Sequence, residues 1–385
     1  MSDDSPPEPD RLDGAPHPRH TARLFGQGAA EAAFLRAFSS ERLHHGWLIA
    51  GPRGVGKATL AWRIARFLLA TPDAGEAEAG LFGDAPPVPD SLEVAPDHPV
   101  ARRIAQLSEP GLHLMRRGGA GSTEAERAKN RAEGKFSREI RVDEVRELAR
   151  FVGLTASDGG RRVVIVDSAD ELNTNAANAL LKMLEEPPAR TTLLLISHQP
   201  ARLLPTIRSR CRDLRLTALS EADMSAALTQ AGVEPGEAAT GIAALSGGSV
   251  GEAIRLMQND GLTVYAELVA LAASLPRLDR SRAQALAQAA ATRGAEEKLD
   301  MLFALTDLLL ARLARTGATG LAPEEAVPGE AQTLLRLSPD LAQARAWARA
   351  AQEIGQRARH GRAVNLDPSA LVLDTVLKMH ATAQA

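Results

Sequence analysis

Two hydrophobic patterns divide the chain. From about residue 20 to 219, short runs that are apolar at every position alternate with stretches whose apolar residues recur at helical spacing. A run apolar throughout reads as a strand buried on both faces, as in a parallel sheet, and a recurrence every three to four residues reads as an amphipathic helix. On that basis residues 29–43 form a helix, 45–50 a strand and 58–70 a helix. Residues 138–154 read as a short strand and then a helix, 161–167 as a strand, and 176–186 as a helix stopped by Pro187 and Pro188. Residues 191–199 are a further buried strand, and 201–219 carry a helical turn and one more strand. Strands and helices alternating in this way predict a three-layer α/β domain with a parallel sheet. Beyond residue 219 the strand pattern stops. Short helices punctuated by glycine come first, then long Ala/Leu-rich helices from about residue 275, broken by GATGLAPEEAVPGE. The expected layout is a tail over 1–19, an α/β domain over 20–218, a small helical domain over 219–275 and an all-α domain over 276–385. No internal repeat is present.

Two segments lack either pattern. Residues 1–19 are acidic, Pro-rich and without an apolar core, so they read as a disordered tail rather than a signal peptide. Residues from about 72 to 135 are rich in Pro, Gly, Ala and mixed charge, and read as a long, partly disordered insertion. Its acidic and basic residues are interspersed, which favours a solvated segment over a nucleic-acid arm. Composition narrows the class. The chain of 385 residues is 44% hydrophobic, 24% charged and only 3% aromatic, an ordinary globular balance tilted toward helix. A formal net charge of −3 argues against bulk adhesion to nucleic acid, leaving room for local basic surface. Cys211 is the single cysteine, so the chain has neither an internal disulfide framework nor a cysteine-rich zinc site, which fits a reducing cytoplasm. No apolar run is long enough to cross a bilayer.

The chemistry-bearing stretches lie in the α/β region. GPRGVGK, residues 51–57, joins a predicted strand to a predicted helix. Gly51, Gly54 and Gly56 let backbone N–H groups turn toward phosphate oxygens, the helix N-terminus adds favourable partial charge, and Lys57 reaches the outer phosphates. The position after the lysine ordinarily carries a hydroxyl that ligates magnesium; here it is Ala58. Thr59 lies about 100° further round the helix and cannot simply replace it. Asp167 closes the buried run VVIVD, where a carboxylate holds the magnesium water shell, and it competes with a reading as a helix cap. Ser168 follows, a poor base where a water-orienting glutamate is usual. In TIRSRCRDLRL, Arg208, Arg210 and Arg212 alternate around Ser209 and Cys211, either as a solvated basic edge or as a guanidinium offered to a neighbour's phosphate.

The order GPRGVGK, VVIVDSADELN, NALLKMLEEPP and IRSRC resembles the bacterial clamp-loader family, with LLKMLEEPP and SRC the more specific elements. The resemblance covers roughly residues 22–258 and, more weakly, the C-terminal helices. It implies a P-loop domain of the AAA+ type, a small helical lid and a helical collar. It also implies membership of a hetero-pentameric ring with gamma/tau motor subunits and a delta subunit. That ring, part of a DNA-directed DNA polymerase III holoenzyme, places a sliding clamp on primer-template DNA in the cytoplasm. Within the family, Ala58, Ser168, Ser197 or His198 at the first sensor, and Gly251 in GSVGEA all depart from the motor pattern. Together they imply a rigid, non-hydrolysing subunit that donates Arg210 in trans. No cofactor is then required. ATP or ADP binding without hydrolysis at Gly51, Gly54, Gly56, Lys57 and Asp167 stays open, and no zinc is expected. Arg138, Arg141 and Arg146 are basic candidates for DNA contact, and read equally as solvated or locally salt-bridged residues. The alternatives are an active AAA+ motor subunit, kept open by Lys57 and Asp167, and a P-loop phosphotransferase, which leaves LEEPP and SRC unexplained.

Overall fold

The computed structural model describes residues 7–40, 43–71, 89–153, 160–234, 236–292 and 296–384. It divides into two compact units, Met1–Val233 with Gly248–Gly251, and Glu234–Gly247 with Glu252–Ala385.

The first unit contains the sheet. In chain order its elements are α1 (Gly28–Ser39), β1 (Gly46–Ala50), α2 (Lys57–Ala70), α3 (Pro99–Ala105), β2 (Leu112–Arg116), α4 (Glu124–Ala132) and α5 (Val142–Gly153). Then come β3 (Arg162–Asp167), α6 (Thr174–Glu185), β4 (Thr191–Ser197), α7 (Pro205–Arg208), β5 (Arg212–Arg215) and α8 (Glu221–Gln230). The five strands run parallel in the order β2-β3-β4-β1-β5. Successive residues of β1 face opposite sides, as the pleat requires. Trp47 and Ile49 join Phe34, Leu60, Trp62 and Ile64 of α1 and α2 on one face. Leu48 and Ala50 join Val145, Leu148, Leu180 and Leu184 of α5 and α6 on the other. The three-layer α/β expectation therefore holds, with each face of the sheet closed by helices.

Three local expectations need correction. β2 lies inside the stretch read as an insertion over 72–135, together with α3 and α4. It is an outer strand with the sequence LHLMR, only Met115 is fully buried, and it lacks the all-apolar run that marked the inner strands. Residues 72–88 of that stretch lie outside the described residues. The strand expected just before α5 shrinks to a single parallel bridge between Ile140 and Leu172.

The disorder expected over 1–19 does not fit residues 7–19, which form a docked arm; residues 1–6 lie outside the described residues. Arg19 Nη1 donates to both Glu8 oxygens at 2.7 and 2.8 Å. Arg116 Nη1, at the end of β2, donates to Glu8 at 3.0 Å and to Asp10. Arg66 Nη1 and Nη2 donate to the carbonyls of Arg19 and Thr21. Burial pushes the Asp10 carboxyl up, but His17 and Arg116 more than offset this and hold it below the usual range. Composition could not reveal this arm, because its acidic residues find partners about a hundred positions away in the chain.

The second unit is helical among the described residues. It holds α9 (Ala239–Ser246), most of α10 (Val250–Gln258), α11 (Gly261–Ser274), α12 (Arg280–Ala290), α13 (Glu296–Thr319), α14 (Glu330–Leu337), α15 (Leu341–Ala363) and α16 (Pro368–Gln384). Its buried polar centre is Glu330, fully inaccessible to solvent. Glu330 Oε1 lies 2.7 Å from Arg312 Nε and accepts from the Tyr265 hydroxyl at 2.5 Å, while Oε2 accepts from Ala326 N at 2.7 Å. The boundary expected at 275/276 falls inside this unit. No helix among the described residues is long and apolar enough to cross a membrane.

Candidate functional site

The Gly-rich loop hangs between β1 and α2. Gly54 and Gly56 have φ of 75° and 100°, the left-handed region that a side chain disfavours. Gln27 clasps the loop from outside: its Nε2 donates to Val55 O at 3.3 Å and to Thr217 O at 2.8 Å. Lys57 is 3% exposed, and its ammonium turns back on the loop itself. Its Nζ donates to Gly51 O at 2.7 Å and to Pro52 O. Burial lowers its pKa to about 8, against the opposing pull of Asp167 and Asp170. Ala58 packs at the edge of the core under the sheet, and Thr59 is buried one position on.

Asp167 ends β3, separated from β1 by β4. Burial pushes its carboxyl up to about 7, reinforced by Asp10 and Glu171 and opposed by Lys57 and Arg116. Ser168 is buried, and its Oγ meets no hydrogen-bond partner among the described residues. Asp170 is engaged elsewhere. It accepts from Ser197 Oγ at 2.7 Å, from the backbone N of His198, and from Gln199 N at 3.3 Å. It thereby fixes the end of β4. Burial, and then the charge of Lys57, push His198 down to about 4, so its imidazole is neutral at physiological pH.

The segment Gly248–Gly251 belongs to this same unit and lies on the loop. Ser249 Oγ donates to Arg53 O at 2.8 Å, and Gly251 N donates to Gly54 O at 3.1 Å. A Cβ on Gly54 would stand 2.3 Å from Ser249 Oγ and 2.9 Å from Gly251 Cα. The sequence marks Gly251 only by the arginine it lacks; its backbone contact with the loop had no sequence signal beyond the two glycines.

The arginine element sits elsewhere. β5 begins at Arg212, paired with Trp47 near the start of β1, whereas the Gly-rich loop leaves the other end of that strand. At about 3.3 Å per residue, a strand of this length keeps Arg210 well away from its own loop. The three arginines differ. Arg208 is exposed, and the Arg212 guanidinium lies 5.4 Å over the Trp47 ring. Arg210 is held by Glu185 Oε1, 2.9 Å from Nη2, and by Thr206 O, 3.1 Å from Nη1. LEEPP carries Glu185, but nothing in the sequence marks it as the partner of Arg210. Cys211 is half-buried, and burial pushes its thiol up to about 12.

Of the basic candidates for DNA contact, Arg141 donates to Gly121 O at 2.6 Å, Arg146 pairs with Asp143 at 2.9 Å, and Arg138 is exposed. Glu8, Asp10 and His17 converge as metal ligands would. However, His17 Nδ1 accepts from Arg19 N at 3.1 Å, which leaves Nε2 to carry the proton and donate to Asp10. With Arg19 and Arg116 already on the carboxylates, the cluster is an ion-pair knot.

Sequence relatives bear on the same region. The chain is 41% identical over 216 residues to DNA polymerase III subunit delta' of Pseudomonas aeruginosa, a match covering 55% of each chain. It is 32% identical over 246 residues to DNA polymerase III subunit delta' of Escherichia coli, covering 64% of each. It is 30% identical over 208 residues to DNA polymerase III subunit gamma of Buchnera aphidicola, covering 54% of this chain and 47% of that one. The chain thus spans roughly half the length of the curated relatives it matches. The family described as "DNA polymerase III, delta subunit" matches residues 26–220, just over half of the chain and the whole of the α/β core from α1 to β5. The protein belongs to the DNA polymerase III delta-subunit family.

Proposed function

We propose that this chain is a delta-prime subunit that serves the DNA polymerase III clamp loader as a non-hydrolysing member. In that ring it stands beside gamma/tau motors and a delta subunit, and the assembled ring engages the sliding clamp and primer-template DNA. The observation that carries the reading is the self-satisfied loop. Lys57 spends its ammonium on Gly51 O and Pro52 O, and Gly251 packs on Gly54. The residues around the loop do not suit magnesium-nucleotide hydrolysis. Ala58 offers no ligand, Asp170 is tied to β4, and Ser168 has no carboxylate to orient water. On this reading the chain's contribution to hydrolysis is Arg210, placed far from its own loop and suited to a neighbouring subunit's γ-phosphate.

Two measurements test this. The purified chain, given ATP and magnesium, should release no phosphate above background. Hydrolysis abolished by Lys57→Ala would instead establish the motor reading. In the assembled ring, Arg210→Ala should cut ATP turnover by about 10³-fold at the occupied interface, the scale of a finger removed in trans, with assembly intact. Unchanged turnover would overturn the finger assignment.

A further inference from the structure

We infer that Glu185 is the positioning residue for Arg210, holding its guanidinium ready for the neighbour's phosphate; this rests on the reading of Arg210 as a group donated in trans. Glu185 is the last residue of α6, whose buried face is Ala176, Ala177, Leu180 and Leu184 and whose start is capped by Asn173, accepting from Ala176 N at 2.9 Å. A carboxylate in the last turn of a helix opposes the helix dipole. The residue is therefore poorly placed for the stability of its own helix, and its partner is what the position supplies.

The surroundings fix both members of the pair. His45 Nε2 lies 3.0 Å from Leu184 O, tying the end of α6 to the start of β1. A Cβ on Gly46 would stand 2.9 Å from Leu184 Cδ2 and 3.1 Å from Arg210 O, so the Leu184 side chain and the Arg210 backbone both close on a residue without a side chain. Arg210 N donates to Ile207 O, closing the turn that presents it. The side chain then has two anchors, Glu185 on Nη2 and Thr206 O on Nη1. A guanidinium has five N–H donors in a fixed plane. Two are used here, and three remain to meet phosphate oxygens. An anchor that spends two donors and leaves three orients the group without consuming it. The side chain keeps 36% of its surface in solvent, and so remains presentable.

The test uses the assembled ring, with turnover and KM for ATP measured separately. Glu185→Ala should lower kcat roughly 10- to 100-fold, the scale of a misplaced catalytic group. KM should stay within about twofold, because the anchor does not touch nucleotide. Glu185→Asp, which keeps the charge on a shorter arm, should recover part of the loss. The double variant Glu185→Ala/Arg210→Ala should be no slower than Arg210→Ala alone, since the anchor acts only through the arginine. If Arg210→Ala is slow while Glu185→Ala turns over normally or faster, the positioning role is overturned and the finger stands. If Arg210→Ala itself turns over normally, both fall. Glu185 is half-exposed, so loss of fold is not expected, and a far-UV spectrum of each variant checks it.

Discussion

A buried ammonium needs acceptors, and Lys57 finds two in carbonyls of its own loop. The residue type was legible from GPRGVGK, but the direction of its side chain was not, because the backbone carbonyls that capture it exist only once the loop is folded. The same holds for Asp167 and Arg210. Each stands at the strand end or turn that the sequence indicates. The raised carboxyl of Asp167 and the Glu185 anchor of Arg210 come from groups distant in sequence. Cys211 offers a direct check on burial at this scale. A thiol pushed up to about 12 is protonated at lower pH. At pH 8 only about one molecule in 10⁴ carries the reactive thiolate. Iodoacetamide should therefore alkylate the native chain far more slowly than the chain in denaturant, and the native rate should climb with pH well past 9. As the sole cysteine, it gives a clean count of modified thiol by mass. Equal native and denatured rates at pH 8 would show that the thiol is not buried.

Among the elements, the inner strands β1, β3 and β4 were readable because burial on both faces forces an apolar residue at nearly every position. β2 was not, because an outer strand in a shallower setting tolerates His113 and Arg116. β5 was marked by its place after SRC more than by its pattern, since only Leu214 is buried. The contact between the Gly-rich loop and Gly248–Gly251 yields a sharper prediction. A Cβ on Gly251 would stand 2.9 Å from Gly54 Cα, backbone that has no rotamer by which to move aside. Gly251→Ala should lower stability by about 1–3 kcal/mol, the usual cost of overpacking. Gly28→Ala, where a Cβ meets nothing within 4 Å at the first turn of α1, should change it by less than about 0.5 kcal/mol. Equilibrium denaturant unfolding of both variants makes the comparison, and equal midpoints would show that the loop contact is loose.

For the molecule as a whole, each unit has its own polar fastening. In the first, the arm from residue 7 onward ties Glu8 and Asp10 to Arg116 and spans from β2 to α2. In the second, Glu330 and Arg312 join α13, α14 and the connection between them, with Tyr265 of α11 as third partner. Removing one member of a buried ion pair strands the other. Glu330→Ala should therefore destabilise the second unit by about 3–5 kcal/mol. Glu330→Gln, which can still accept from Tyr265 or Ala326, should cost less. Helical signal followed through denaturant reads both, and a loss below about 1 kcal/mol for Glu330→Ala would show that the pair is hydrated. The helical character of this unit was plain from its Ala/Leu periodicity. Its fastening was not, because Glu330 and Arg312 look like any exposed helical charges until the chain is folded.

The paired glycines at 54 and 251 also limit how the site could be re-engineered. A side chain fits at position 251 only if Gly54 moves away, and moving Gly54 disturbs the turn that shapes the loop. An arginine installed there would thus distort the very loop it is meant to serve. Side chains introduced at Ala58 and Ser168 would leave this contact in place, so those two changes alone would not open position 251.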